Sequence, residues 1–560
     1  MKHYLLLPFF LFAVINTSAQ YELDINNVSA HFEQNGQLFA NSTTYSGGFE
    51  APVGSDLHTF YTFNFWVGGI NNGMSYAHGA RFLQLSDEFL RFGPMMDSAY
   101  YETENEIWDR VWNITKLQIY FHITDFNQPG YIMPEVIENW PAHGDVTKGQ
   151  AADLAPFVDV NNDGIYTPAM GDYPRILGDQ AIYVIYNGER SNELMAPMGI
   201  ETHVMLYSYA EDELLDEVVF AYVKHYNRSP NTYINAYLGM FNDFDIGNST
   251  DDISFTDVMR STLYAQNGDA FDEDGYESDL PYQSTTILRG VKQDNDGIDN
   301  NIGIDAYESV NGMGYDDGVI DNEYRGLDHS LRITNTSSAQ GDPQNSIEYY
   351  YTMSGFWRYG DPVVYGGDGY TSDSTSIASR FVNSNNDPDM FGTYGVEPQN
   401  DWSSQIPSDT RMIGSSGPFI FHAGSCRDMY TAFVFERPGT GNDEEDFDIF
   451  TASIDYVKEN FEIIEGEQCS EITTSIRKIK REAKQLLVFP NPFNEAISFN
   501  YEGSDPNAKL FIYDLLGREL LQHYVSNGIN TIDLEEFQNT TYLIKVVDKE
   551  GIYTQKIIKR

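Results

Sequence analysis

The chain has 560 residues, 41% hydrophobic and 14% aromatic, with Tyr 39, Phe 35 and Gly 46. That is too long for one ordinary core, and the composition favours strands and turns, so the expected class is mainly β in two to four domains. With 84 acids against 33 bases the formal net charge is −51, a field that excludes nucleic acid and anionic membrane as partners and attracts cations.

Residues 1–19 read as a signal peptide: Lys2 is the positive start, Leu5 to Ile15 the apolar core, and Thr17-Ser18-Ala19 the small residues for cleavage. No later stretch has 18 uninterrupted apolar residues, so no transmembrane segment is expected in the mature protein. Residues 20–150 form a β-rich N-terminal region and 151–466 a β-rich body of sandwich type. Within 117–124, Leu117, Ile119, Phe121 and Ile123 alternate with polar residues and predict a strand. Residues 181–187, 217–226 and 428–437 predict further strands, and Gly414 to Gly417 a turn. Phe447, Phe450, Ile454, Val457 and Phe461 share one face of a core-facing helix near 447–461. Residues 266–330 read as an acidic Asp/Gly loop insertion poor in apolar residues, and 467–486 as a basic linker. An exported chain could join Cys426 and Cys469, but the sequence does not settle whether their geometry permits a bond.

The chemistry concentrates in the acidic loops. Asp159, Asn161 and Asp163 stand at alternate positions ahead of the bend at Gly164, and with the carbonyl of Ile165 they supply four oxygens of the kind calcium takes. Met170 occupies the place of the bidentate glutamate of an EF-hand, and Asp172 could close the shell instead. The alternative is a solvated Asx turn. Asp294, Asp296, Asp299 and Asp305 form a weaker second candidate, which Asp316, Asp317 and Asp321 could join; Asp243, Asp245, Asp251 and Asp252 form a third. No His occurs in 144–202, which argues against a catalytic metal at the first loop, and extended flanks argue against a switch. A structural calcium clip remains.

No H-E-x-x-H, G-x-S-x-G, Walker or C-x-x-C motif occurs, and no catalytic residue can be singled out. His122 and His225 lie in strand-like patterns and read as packed or surface residues. Trp66, Trp108, Trp112, Trp140, Trp357 and Trp402 could stack on sugars or fill the core. The reading is a non-catalytic, calcium-stabilised surface or adhesion-type protein. The alternative is a secreted hydrolase of polysaccharide or protein, because many β-fold hydrolases carry no local signature.

The tail is more specific. It opens on Pro490-Asn491-Pro492, continues through Asp514-Leu515-Leu516-Gly517-Arg518 and a Tyr542-Leu543 strand, and closes on Lys556-Ile557-Ile558-Lys559. In that order these motifs resemble the type A C-terminal sorting domain of type IX secretion cargo over 487–560, although Thr541 stands where the family usually has Gly. The resemblance implies a small Ig-like β-sandwich recognised by the type IX machinery, export across the outer membrane, removal of the tail, and release of the body or its attachment to surface lipopolysaccharide. Segments 65–73, 154–187, 238–252, 355–370 and 409–419 also resemble large secreted type IX cargo proteins, a group from which no activity carries over.

Overall fold

The computed structural model describes residues 21–41, 44–81, 90–189, 196–210, 214–370, 376–398, 400–403, 407–464, 469, 486, 488–501, 508–513, 519–548 and 551–560. The signal-peptide stretch 1–19, most of the linker 467–486 and Asp514 to Arg518 lie outside the described residues. The chain divides into two units, Met1–Ile472 and Thr473–Arg560.

The first unit is built on two large sheets. One has the antiparallel order His329–Thr334, Thr410–Phe421, Tyr233–Phe244, Phe60–Asn71, Met74–His78. The other runs Ser384–Asn385, Asp252–Asp257, Thr262–Asn267, Tyr282–Arg289, Cys426–Glu436, Val218–Asn227, Ile200–Ser208, Gln180–Asn187, Arg91–Phe92, with Trp112–Thr115 also paired to Gln180–Asn187. Strands from 20–150 and 151–466 thus interleave in both sheets.

A core joins the two sheets. Phe433 meets Phe39 and Phe63 at 4.7 Å between ring centroids, and Phe60 meets Phe244 at the same distance. The larger sheet is covered on its other face too, where Tyr183, Met205, Phe220 and Tyr430 pack with Trp112, Trp140 and the helix Asp443–Asn460. Burial on both faces explains why all eight residues of Gln180–Asn187 are buried without polar alternation. The helix expected near 447–461 is present as Asp443–Asn460, with Phe450, Ile454 and Val457 buried and Asn442 capping its start through the amide of Glu444. Cys426 and Cys469 are disulfide-bonded, with Cα atoms 5.4 Å apart.

Three sequence expectations are corrected. Residues 117–124 are not a strand but lie in the helix Lys116–Asp125. Thr115 Oγ1 accepts the Gln118 amide at 3.2 Å and the Gln118 side chain accepts the Thr115 amide at 2.9 Å, a capping box that starts a helix at once. Ile119 and His122 face inward, whereas Leu117, Tyr120, Phe121 and Ile123 are exposed, so apolar residues on the solvent side counterfeited the alternation. Gly414 to Gly417 is not a turn but part of Thr410–Phe421. A side chain at Gly414 would come within 2.7 Å of Leu263, so small residues here make room for neighbours. The stretch 266–330 is not one loop insertion, because Tyr282–Arg289 is a fully buried strand between Thr262–Asn267 and Cys426–Glu436. Its Ser and Thr concealed it from an apolar count.

The second unit pairs a sheet of Val488–Phe489, Ala496–Tyr501 and Gly528–Asp533 with one of Glu519–Tyr524, Lys509–Tyr513, Thr541–Asp548 and Gly551–Ile558. Phe493, Ile497, Phe499, Leu510, Ile512, Ile544 and Ile557 form its core. It is the small β-sandwich expected of the tail.

Candidate functional site

The loop 159–172 winds on its own amides. Asp159 accepts the amide of Gly164 at 2.7 Å and that of Asp163 at 3.3 Å, while Asp163 accepts that of Ile165 at 2.8 Å. Gly164, at φ 78°, supplies the left-handed bend. Asn161 bonds Asp163 through both its oxygen and its nitrogen. Asp172 is fully buried and takes the amide of Val160 at 2.9 Å and that of Thr167 at 2.7 Å, so it ties the two ends of the loop together. His122 bonds the carbonyl of Asp172 at 3.0 Å and Tyr131 at 2.9 Å, a packed histidine on a helix.

The second candidate group separates. Asp294 accepts the amide of Ile420 and pairs with Arg427 at 3.0 Å. Asp296 and Asp299 stay in a two-loop arrangement: Asp321 accepts the amides of Asp296 and Gly297 at 2.8 Å, and Asp299 accepts that of Gly318 at 2.7 Å. The Asp305 amide instead bonds Glu308.

The third group gathers tightly. Asp243 and Asp245 line a pocket of about 360 Å³ with Tyr61, Ser249, Asn335, Asp409 and Arg411. Among the described residues, Asp243, Asp245 and Asp409 are the three acids whose ligand atoms lie within 4.8 Å of one another. Arg411 Nε stands 3.1 Å from Asp243 Oδ1 and its Nη2 3.3 Å from Asp409 Oδ1. Burial and the neighbouring carboxylates push both Asp243 and Asp245 above the usual carboxylate range, against the opposing charge of Arg411. Asp251 and Asp252 are not in the group; Asp252 is fully buried and accepts the amide of Ile246 at 3.0 Å. Sequence reasoning missed Asp409, which reaches the site because Asp243 pairs with Arg411 across two strands far apart in the chain. Five of the six Trp are buried, so only Trp402 retains partial exposure.

Residues 487–560 match the family model described as the secretion system C-terminal sorting domain. No curated protein matches the chain. A solved polysaccharide lyase is similar at 6% identity and a TM-score of 0.18, over 66% of this chain and 35% of that one. A TM-score that low carries neither fold nor activity across. The sorting domain makes this a type IX cargo chain, exported to the cell surface or the extracellular space.

Proposed function

We propose that the exported body is a non-catalytic surface protein of the adhesion type, stabilised by calcium. The observation that carries the reading is the Asp243–Asp245–Asp409 group. Once all three carboxyls ionise against the one guanidinium of Arg411 they carry two net negative charges, which one divalent cation would balance, offsetting the burial and mutual repulsion that otherwise hold Asp243 and Asp245 above the usual range. Tyr61, Ser249 and Asn335 line the same pocket with neutral oxygens, and water can complete the six to eight that calcium takes. Asp159, Asn161, Asp163 and the Ile165 carbonyl are the second place for the ion, and the Asp296–Asp299 loops a third. Once the tail is removed, the body is released or held on surface lipopolysaccharide.

The test is a thermal melt of the full chain in calcium and in chelator. At ten times the dissociation constant one site adds about 1.4 kcal/mol. Asp245→Ala and Asp163→Ala, made separately, are each expected to remove part of the calcium-dependent rise. A melting temperature indifferent to chelator overturns the calcium reading.

A secreted hydrolase of polysaccharide or protein is the second reading, favoured by the same pocket. Carboxyls held above their usual range beside Tyr61 are suited to general acid work near neutral pH. Turnover of a polysaccharide or protein substrate by the purified chain, abolished by Asp245→Asn, would decide for it.

A further inference from the structure

A cleft of about 700 Å³ opens between the end of Thr262–Asn267, the start of Tyr282–Arg289 and the first turn of the helix Asp443–Asn460. That volume is in the range of ligand pockets. Tyr282 lies at its inner wall. Its ring stacks on Phe450 at 4.8 Å and the residue is only 8% exposed, yet among the described residues its hydroxyl has no hydrogen-bond partner. A tyrosine buried to that degree ordinarily finds a partner for its O–H. Among the described residues, the side chains of Gln266 and Ser278 and the carboxylate of Asp443 also line the cleft without a hydrogen-bond partner. Leu280 and Pro281 supply an apolar strip beside them.

These groups select a ligand class. The tyrosine and serine hydroxyls and the glutamine amide both donate and accept, and Asp443 accepts only, so the set matches hydroxyl groups, which do both. Anionic sugars are repelled by Asp269, Asp279, Asp443 and Asp446. A metal ion is poorly served, because among the described residues no three acids of this cleft bring their ligand atoms within 4.8 Å of one another. We infer that this cleft binds an uncharged oligosaccharide. The inference deepens the adhesion reading and rests on it for its purpose, but it uses none of the residues assigned to calcium.

Isothermal titration of the full chain in excess calcium tests it, with cellotetraose, maltotetraose and N-acetylchitotetraose as neutral probes, tetragalacturonate as the anionic one and spermidine as the cation. At least one neutral probe is expected to bind and tetragalacturonate to fail. Tyr282→Phe keeps the stacked ring and removes only the hydroxyl. It should weaken binding about fivefold, the worth of one ordinary hydrogen bond. Gln266→Ala, at a half-buried position, should do the same with an unchanged melting temperature. The inference is overturned if no neutral probe binds, if spermidine alone binds, or if both variants bind as tightly as the parent. Chelator-sensitive melting with no sugar binding would retain the calcium reading and discard this one.

Discussion

His31 and His78 occupy opposite electrostatic settings, and together they shape the pH response. His31 stands between Glu22 at 2.7 Å and Glu33 at 3.1 Å; burial works against its charge, but the two carboxylates push it up to about 9. Its contribution is present in full below the unfolded value of about 6.5 and is lost as pH rises through about 9. Among the described residues His78 has one hydrogen-bond partner, the Thr202 hydroxyl at 3.2 Å, and burial pushes it down to about 4. Above about 6.5 it is neutral in both states and costs nothing. As pH falls from about 6.5 towards 4, the unfolded chain takes up a proton that the folded chain refuses, at a cost approaching about 3 kcal/mol. Urea midpoints at pH 5 and pH 7 for the parent and His78→Gln isolate this group from the acidic pocket. The parent should lose more stability than the variant on acidification. Equal losses would contradict the assignment.

At the scale of elements, the helix Lys116–Asp125 is the clearest case of local chemistry overruling a pattern. Thr115→Ala removes the capping oxygen and should cost about 1 kcal/mol, read as a shift in urea midpoint. Gln118→Ala removes the reciprocal half and should cost less; two silent variants would mean that tertiary packing alone holds the helix. Continuous apolar and aromatic runs made the central strands at 181–187, 217–226 and 428–437 legible, because those strands are buried on both faces. Tyr282–Arg289 was not legible, since its Ser and Thr are buried within a β-sheet and count as polar in a one-dimensional reading. The acidic pocket was half legible. Asp243 and Asp245 are near neighbours in sequence, but Asp409 joins them only through the register that sets Asp243 opposite Arg411, and no local spacing encodes a register.

At the scale of the whole molecule, the address and the activity are encoded differently. The address sits in one contiguous unit with its own two-sheet core, which is why ordered motifs over 487–560 sufficed to read it. The body draws each of its large sheets from distant parts of the chain, so its candidate sites emerge only after folding. This separation makes a strong prediction. Phe433, Phe39 and Phe63 close the core of the body from residues that all precede the tail. A chain lacking 487–560 should therefore fold its body with an unchanged melting temperature and an unchanged response to chelator. In the native host it should nonetheless accumulate in the periplasm, because the unit that the outer-membrane machinery recognises is missing. Cell fractionation with an antibody to the body reads the location, and mass spectrometry of the surface or medium fraction of the parent reads whether the tail has gone. Truncated body appearing outside the cell at the parent's level would mean that the sorting domain is dispensable for export; a truncated body that fails to fold would mean that the two units depend on each other.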